Sequence, residues 1–367
     1  MDFRDVRLIA FYLPQFHPIP ENDEWWGKGF TEWTNVGKAK PFFRGHYQPR
    51  VPADLGYYDL RIPEIREAQA ELAKRYGIEG FCYWHYWFGD GKKLLDRPLR
   101  EVVKSGKPEF PFCIAWANES WKGFSHGLTN REVLIEQTYP GIHDVEKHFY
   151  ELLPAFSDAR YIKVENKLLF IIYQPYLLPN PKEFIELWQE LALKNGLRNI
   201  FFVAQVQVPT INAKGEDVCY NELTSLGFDA VNFIRFRVFL EHRSFVQKAS
   251  ERLRTQIFGL PSVYPYKRMV QYMNGPLDHM DNVFPSIMTG WDHTPRSGKY
   301  GMVLKDTTPY YFGQHVKRTL KDVVLKSRDK RVIFIKSWNE WAEGNYLEPD
   351  LVWRHQFLET LAKQISE

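Results

Sequence analysis

The sequence predicts an α/β protein, a (β/α)8 TIM barrel with long loops after strands one and six. Two observations carry this expectation. Near-continuous apolar runs alternate with amphipathic runs along all 367 residues, and such runs read as parallel strands covered on both faces. There are eight of each, the number of βα units that closes a barrel. An open, doubly wound sheet is the alternative, and it usually carries a glycine-rich phosphate turn after its first strand. The nearest string, GKGFTE at 27–32, lacks the third glycine and opens no helix. No linker, internal repeat or low-complexity tract divides the chain, so residues 1–367 read as a single domain.

The elements follow in order. Strand one, VRLIAFYLP (6–14), leads through a long loop to a helix at 62–77, with Pro63 early and Gly77 at its end, as helix termini prefer. Strand two, IEGFCYWHYWF (78–88), leads to a helix ending at Gly106. Strand three, FPFCIAWANES (110–120), leads to HDVEKHFYELLPAF. Strand four, KLLFIIYQP (167–175), leads to PKEFIELWQELALKNG, again with Pro early and Gly late. Strand five, NIFFVAQVQ (199–207), precedes a short NELTSLG helix. Strand six, FDAVNFIRF (228–236), enters an irregular stretch over 237–282 that has room for a small subdomain. Strand seven, VFPSIMTGW (283–291), and strand eight, RVIFIKSW (331–338), are each followed by a helix. Loops as long as those after strands one and six usually serve function.

Composition narrows the class. The net charge is +3 with Lys and Arg dispersed, so no nucleic-acid partner is expected. Cys82, Cys113 and Cys219 lack metal-ligand spacing, and neither a metal nor another cofactor is expected. No apolar stretch reaches membrane-spanning length. The start, MDFRDVRLIAFYLP, has no signal-peptide core. It suggests a cytoplasmic protein, or a periplasmic or secreted one if a leader was removed. Oligomeric state is left open.

The segment IKSWNEWAEGNYLEP (335–349) carries the chemistry. It sets Glu340 and Glu343 three residues apart, flanked by Trp338 and Trp341, at the end of an apolar strand. Paired carboxylates beside rings suit sugar chemistry, in which one acid protonates a glycosidic oxygen and the other acts as base or nucleophile. Two acids this close also push one pKa upward. In such a barrel the chemistry lies at the C-terminal strand ends, and polar and aromatic residues collect there. Glu340 and Glu343 are the expected catalytic pair. Expected substrate contacts are Tyr12, His17, Trp26, Trp33, His85, Tyr86, Trp116, Asn118, Glu119, Trp121, Tyr173, Gln205, Arg235, Trp291, Asp292, Trp338 and Asn339. Trp25, Trp26, Trp33 and Trp121 are expected to include a sugar-stacking platform. The expected partner is an oligosaccharide or polysaccharide substrate.

The strings FYLPQFHPIPENDEWWGKGFTEWTNV, GFCYWHYWF, AWANESW, GWDHTPR and SWNEWAEG resemble the glycoside hydrolase family 99-like, or WbsX, group over nearly the whole chain. That group is associated with bacterial polysaccharide and O-antigen loci, hence with lipopolysaccharide. The resemblance implies a (β/α)8 enzyme acting on α-linked, manno-configured glycans, as the endo-α-mannosidases of family 99 do. The family's Glu-Trp-His-Glu string is matched by Glu340-Trp341-Ala342-Glu343, with Ala342 in place of His. It further implies a retaining, substrate-assisted route. Glu340 would deprotonate the 2-OH, which closes to a 1,2-anhydro sugar, while Glu343 would protonate the leaving oxygen and then activate water. Three alternatives stay open. Glu119 is a possible acid/base, with Glu340 as ordinary nucleophile. Glycosyl transfer in O-antigen or capsular polysaccharide synthesis is the second, against which the chain has no Asp-x-Asp string. A non-catalytic glycan-binding barrel is the third.

Overall fold

The computed structural model describes residues 3–123, 132–207 and 218–367. Eight strands form the barrel: β1 (Arg7–Tyr12), β2 (Gly80–Trp87), β3 (Phe112–Trp116), β4 (Lys167–Ile172), β5 (Ile200–Val206), β6 (Ala230–Phe233), β7 (Val283–Met288) and β8 (Val332–Lys336). Each pairs in parallel with the next, and β1 closes the ring by pairing with both β2 and β8: Ala10 faces Phe81 on one side and Ile335 on the other. The predicted TIM barrel is the observed fold. Its helices are α1 (Pro63–Arg75), α2 (Arg97–Ser105), α3 (Ile142–Phe156), α4 (Pro181–Lys194), α5 (Val218–Ser225), α6 (Phe245–Ile257), α7 (Pro309–Val323) and α8 (Gln356–Ser366).

The strands are buried on both faces, which explains why they read as unbroken apolar runs. Rings fill the layer between strands and helices: Trp188 of α4 packs among Phe149, Phe170, Phe184 and Phe202. Each such side chain contributes roughly 1.5–3 kcal/mol on burial. Inside the barrel, Gln205 donates to Asn232 at 2.9 Å, and Asn232 donates to Ser286 at 2.9 Å.

Two loops gain structure. After β1, short helices Pro20–Trp26 and Glu32–Lys38 form. Thr31 caps the second one, its hydroxyl accepting from Trp33 N at 3.3 Å. That cap starts the helix at Glu32, which the barrel then uses. After β6, the stretch expected to be irregular holds α6 and a strand, Ser262–Pro265, paired in parallel with Met302–Lys305. Ser244 and Gln247 supply a reciprocal capping box for α6. α6 has no buried residue, and Phe245, Val246, Leu253 and Ile257 are exposed.

Candidate active site

β8 ends at Lys336 and the chain turns back on itself. Asn339–Glu340 pairs antiparallel with Asn345–Tyr346, and between them Trp341–Glu343 forms one turn of 3-10 helix. A 3-10 turn has about three residues per turn, so side chains at i and i+3 eclipse. That geometry points Glu340 and Glu343 the same way. Gly344 closes the turn at φ +57°, where a Cβ would stand 2.7 Å from Asp292 Cβ. Only glycine fits there.

The turn is tied down on every side. Ser337 Oγ donates to Asn345 O at 2.8 Å and accepts from Glu340 N at 3.0 Å. Asn339 brackets Leu13, accepting from its N–H at 2.7 Å and donating to its carbonyl at 3.0 Å. Trp341 donates to Glu348 at 2.6 Å, and Glu348 also accepts from Tyr58 and Gln69. Asp292 N donates to Glu343 O at 2.6 Å.

Both carboxylates open into a cleft at the C-terminal rim. Its inner part is lined by Leu13, Gln15, Trp84, Tyr86, Ala117, Glu119, Trp121, Tyr173, Arg296, Lys336, Glu340 and Glu343. The outer part, about 580 Å³, shares Glu119, Tyr173, Arg296, Lys336 and Glu343, and adds Gln207, Phe236, Arg237, Trp291, His293 and Tyr300. A cavity of about 610 Å³ lies beside the turn, against Gly344, Tyr346 and Arg50, but neither acid lines it.

The two acids are held differently. Arg296 Nη1 binds Glu343 at 2.7 Å, while its other nitrogens reach Glu32 at 3.1 and 3.2 Å. Lys336 Nζ stands 3.8 Å from Glu343 and His293 Nε2 3.9 Å from it. Among the described residues, the one ion-pair approach to Glu340 is that of Arg296 at 3.7 Å, and its buried Oε2 makes no hydrogen bond. Burial raises the Glu340 carboxyl to about 7, with the charge of Glu343 adding to the effect and Lys336 and Arg296 opposing it. Burial also opposes ionisation of Glu343, but Arg296, Lys336, His293 and Arg237 together hold it below the usual carboxylate range. The opposite shifts favour Glu340 over Glu343 as the holder of a shared proton. Burial likewise raises Glu119, which accepts from Gln174 at 3.4 Å. Burial lowers His293 to about 4, so it is neutral near pH 7.

Of the expected contacts, Tyr86, Glu119, Trp121, Tyr173 and Trp291 line the cleft together with Glu340 and Glu343. The others do not, and each has a structural partner instead. Tyr12 donates to Gln69 of α1 at 2.6 Å. His17 is buried, its Nδ1 at 3.0 Å from Pro14 O. Trp26 stacks on Phe30. Trp33 donates to Tyr58 O and packs on Trp341, and Trp25 packs on Trp26 and Trp121. His85 meets His148 at 3.0 Å, and burial lowers it to about 3. Trp116 donates to Trp87 O and lines a separate pocket with Tyr139, His148 and Phe184. Asn118 donates to Gln174 O and Tyr139. Gln205 lies inside the barrel, and Arg235 pairs with Asp278. Asp292 is fully buried, accepting from Gln48 and Thr294 and bonded to His46. Phe42 N donates to His46 Nδ1, so the proton that His46 gives Asp292 is on Nε2. Trp338 packs on Phe81, and Asn339 holds β1 as described.

Gln15, Trp84, Arg237, His293 and Arg296 stand among the strand-end residues the sequence brings to the rim but are not among the expected contacts, and Glu32 and Lys336 are not expected at the rim at all. A lysine at the end of the apolar run Val332–Ile335 was a usable signal, since a charge there faces the rim. Nothing in the sequence links Glu32 to Arg296 across 264 positions.

The structure thus defines a closed TIM barrel with two carboxylates on one turn at its C-terminal rim. Residues 8–361 match the family described as Glycosyltransferase WbsX, and the chain belongs to that family. It is 35% identical over 346 residues to the protein described as uncharacterized protein WxcX of Xanthomonas campestris pv. campestris, in strains B100 and ATCC 33913. The match covers 94% of this chain and 47% of the relative, so the chain spans about half the length of these relatives. Among solved structures it is similar to the GH99 endo-α-mannosidase of Bacteroides thetaiotaomicron, with a TM-score of 0.57 at 16% identity over 98% of this chain and 96% of that one. A glycoside hydrolase-like protein has a TM-score of 0.57 at 11% identity, covering 99% of this chain and 94% of its own. At these identities the likeness is one of fold.

Proposed function

We propose that the protein is a carbohydrate-active enzyme, a retaining glycoside hydrolase acting on an α-linked, manno-configured or related glycan. The observation that carries this reading is the acid pair: two carboxylates on one rigid turn in an open cleft, with Glu340 shifted up and Glu343 shifted down by their surroundings. The family 99 likeness of fold and the Glu-Trp-Ala-Glu string support the choice of substrate. In the substrate-assisted route, Glu340 takes the 2-OH proton and that oxygen closes on the anomeric carbon as the glycosidic bond breaks. Glu343 gives its proton to the leaving oxygen. Water then opens the anhydro sugar with the proton transfers reversed.

This division requires the resting proton to leave Glu340 for Glu343 when substrate binds. The opposite division, Glu340 as acid and Glu343 as base, is favoured by the resting charges. Aryl glycosides of graded leaving-group ability separate the two. An activated aryl group needs little protonation, so the Glu→Gln variant that spares activity on it identifies the acid. Glu119→Gln belongs in the same series, because Glu119 lines the cleft. A sugar ester trapped on Glu340, or fast turnover of a 2-deoxy substrate, excludes the anhydro route. The family's name supports a second class, transfer to a sugar acceptor. Product analysis in water with and without an acceptor glycan tests it, and release of free reducing ends at equal rates in both favours hydrolysis.

A further inference from the structure

The β6 side of the cleft carries two arginines with different fates. Arg235 and Arg237 bound a single 3-10 turn. Arg235 is buried and bonded to Asp278 at 2.5 Å, and Asp278 also accepts from Gly275 N at 2.9 Å. Arg237 is exposed and lines the cleft. Its guanidinium lies 5.4 Å from the centre of the Phe236 ring, and among the described residues it has no ion pair. The other cations of the cleft are engaged: Arg296 holds Glu32 and Glu343, and Lys336 stands 3.8 Å from Glu343. Phe236 packs on Trp291 at 4.6 Å, and Lys336 lies 5.5 Å over the Trp291 ring. A cation, two rings and a second cation thus run from Arg237 inward to the acid pair.

We propose that this wall is a subsite for an anionic group on the substrate, a carboxylate or a phosphate, and that Arg237 is the residue that selects for it. The proposal rests on the reading of the cleft as a sugar site. A glycan of neutral hexoses presents only hydroxyls and leaves the Arg237 charge to solvent. The planar fork of arginine fits a carboxylate or phosphate through two parallel hydrogen bonds. Glu119 also lines the cleft and repels an anion, so the two walls orient the substrate with its charge toward β6. Three chemical sources supply such a group: a uronate in the glycan, a phosphate ester on a sugar, or a phosphate leaving group at the anomeric carbon.

The test is calorimetric titration of the intact protein at low ionic strength with mannose, mannuronate, mannose 6-phosphate and α-mannose 1-phosphate. At least one anionic probe is expected to bind about tenfold more tightly than mannose, the scale of one charge-assisted contact. Which probe does so identifies the source. Arg237→Gln is expected to erase the difference between anionic probe and mannose without changing the melting temperature, and Arg237→Lys to restore part of it. Equal binding of neutral and anionic probes overturns the proposal, as does a preference that persists in Arg237→Gln. Failure of every anionic probe to saturate overturns it as well. The two readings fail separately. Arg237-dependent anion binding in a protein that cleaves no glycoside rejects the hydrolase and keeps the subsite, whereas cleavage without that preference does the reverse.

Discussion

The same strand ends serve two environments, the cleft and the layer beneath the helices, and residue parity decides between them. On β2, Trp84 and Tyr86 face the cleft, while His85 and Trp87 pack on His148 of α3. At the end of β3, Ala117 and Glu119 line the cleft, while Trp116 and Asn118 bond to Trp87 O and Gln174 O. Beyond β7, Trp291 and His293 line the cleft, and Asp292 between them turns away to His46 and Gln48. Successive side chains of a strand point to opposite faces. Aromatic and polar residues at this barrel's rim therefore divide into those that line the cleft and those that hold the rim in shape.

The sharpest way to break this division is to remove the acids. Glu343→Gln and Glu340→Gln are each expected to lower kcat on glycosides with poor leaving groups by about 10²–10⁴-fold, the usual scale of acid–base catalysis. The folded structure should persist, as checked by circular dichroism. Trp116→Ala should do the opposite: it empties an aromatic site on the helix-facing side and is expected to cost about 3–5 kcal/mol in urea unfolding. If Trp116→Ala spares stability and raises KM instead, the parity assignment fails.

pH sharpens the comparison within the acid pair. The step that needs a protonated acid is expected to decline as pH rises through about 7, where Glu340 ionises. The step that needs an ionised acid should survive down to below the usual carboxylate range, where Glu343 titrates. Stability follows the same signs. The folded value of Glu340 is raised, so its stabilisation is complete below the unfolded value and is lost as pH rises through about 7. It is worth on the order of 3 kcal/mol. Glu343 is lowered, so its contribution is present above the unfolded value and is lost as pH falls through its folded one. Urea unfolding at pH 5 and pH 8 should therefore show a pH dependence that Glu340→Gln flattens.

The smaller effects come next. Trp121→Ala is expected to raise KM more than it lowers kcat, the mark of lost uniform binding. Phe245→Ser on exposed α6 should change stability by no more than about 0.5 kcal/mol.

Much of the barrel was legible because strand runs, helix-starting prolines and helix-ending glycines are local signals. The acid pair was legible for the same reason, since both members lie within one turn. Parity was not. A parallel strand buried on both faces shows no alternation of polar and apolar residues, so Trp116 and Tyr86 looked alike. The partners of the pair were hidden by distance in sequence: Arg296 joins Glu32 to Glu343 only once the ring closes. α6 was missed although Phe245, Ala249, Leu253 and Ile257 recur at helical spacing, because a helix was not expected in a stretch read as a loop.

One turn of backbone carries both acids, and a different segment carries Arg237. A lineage that exchanges the stretch after β6 changes the charge its enzyme recognises and leaves the spacing of Glu340 and Glu343 untouched. A single insertion between Glu340 and Glu343 would separate the acids whatever the rest of the chain became. Substrate choice is thus a trait that descendants of this barrel can trade piecemeal, whereas the chemistry is inherited as one short, indivisible piece.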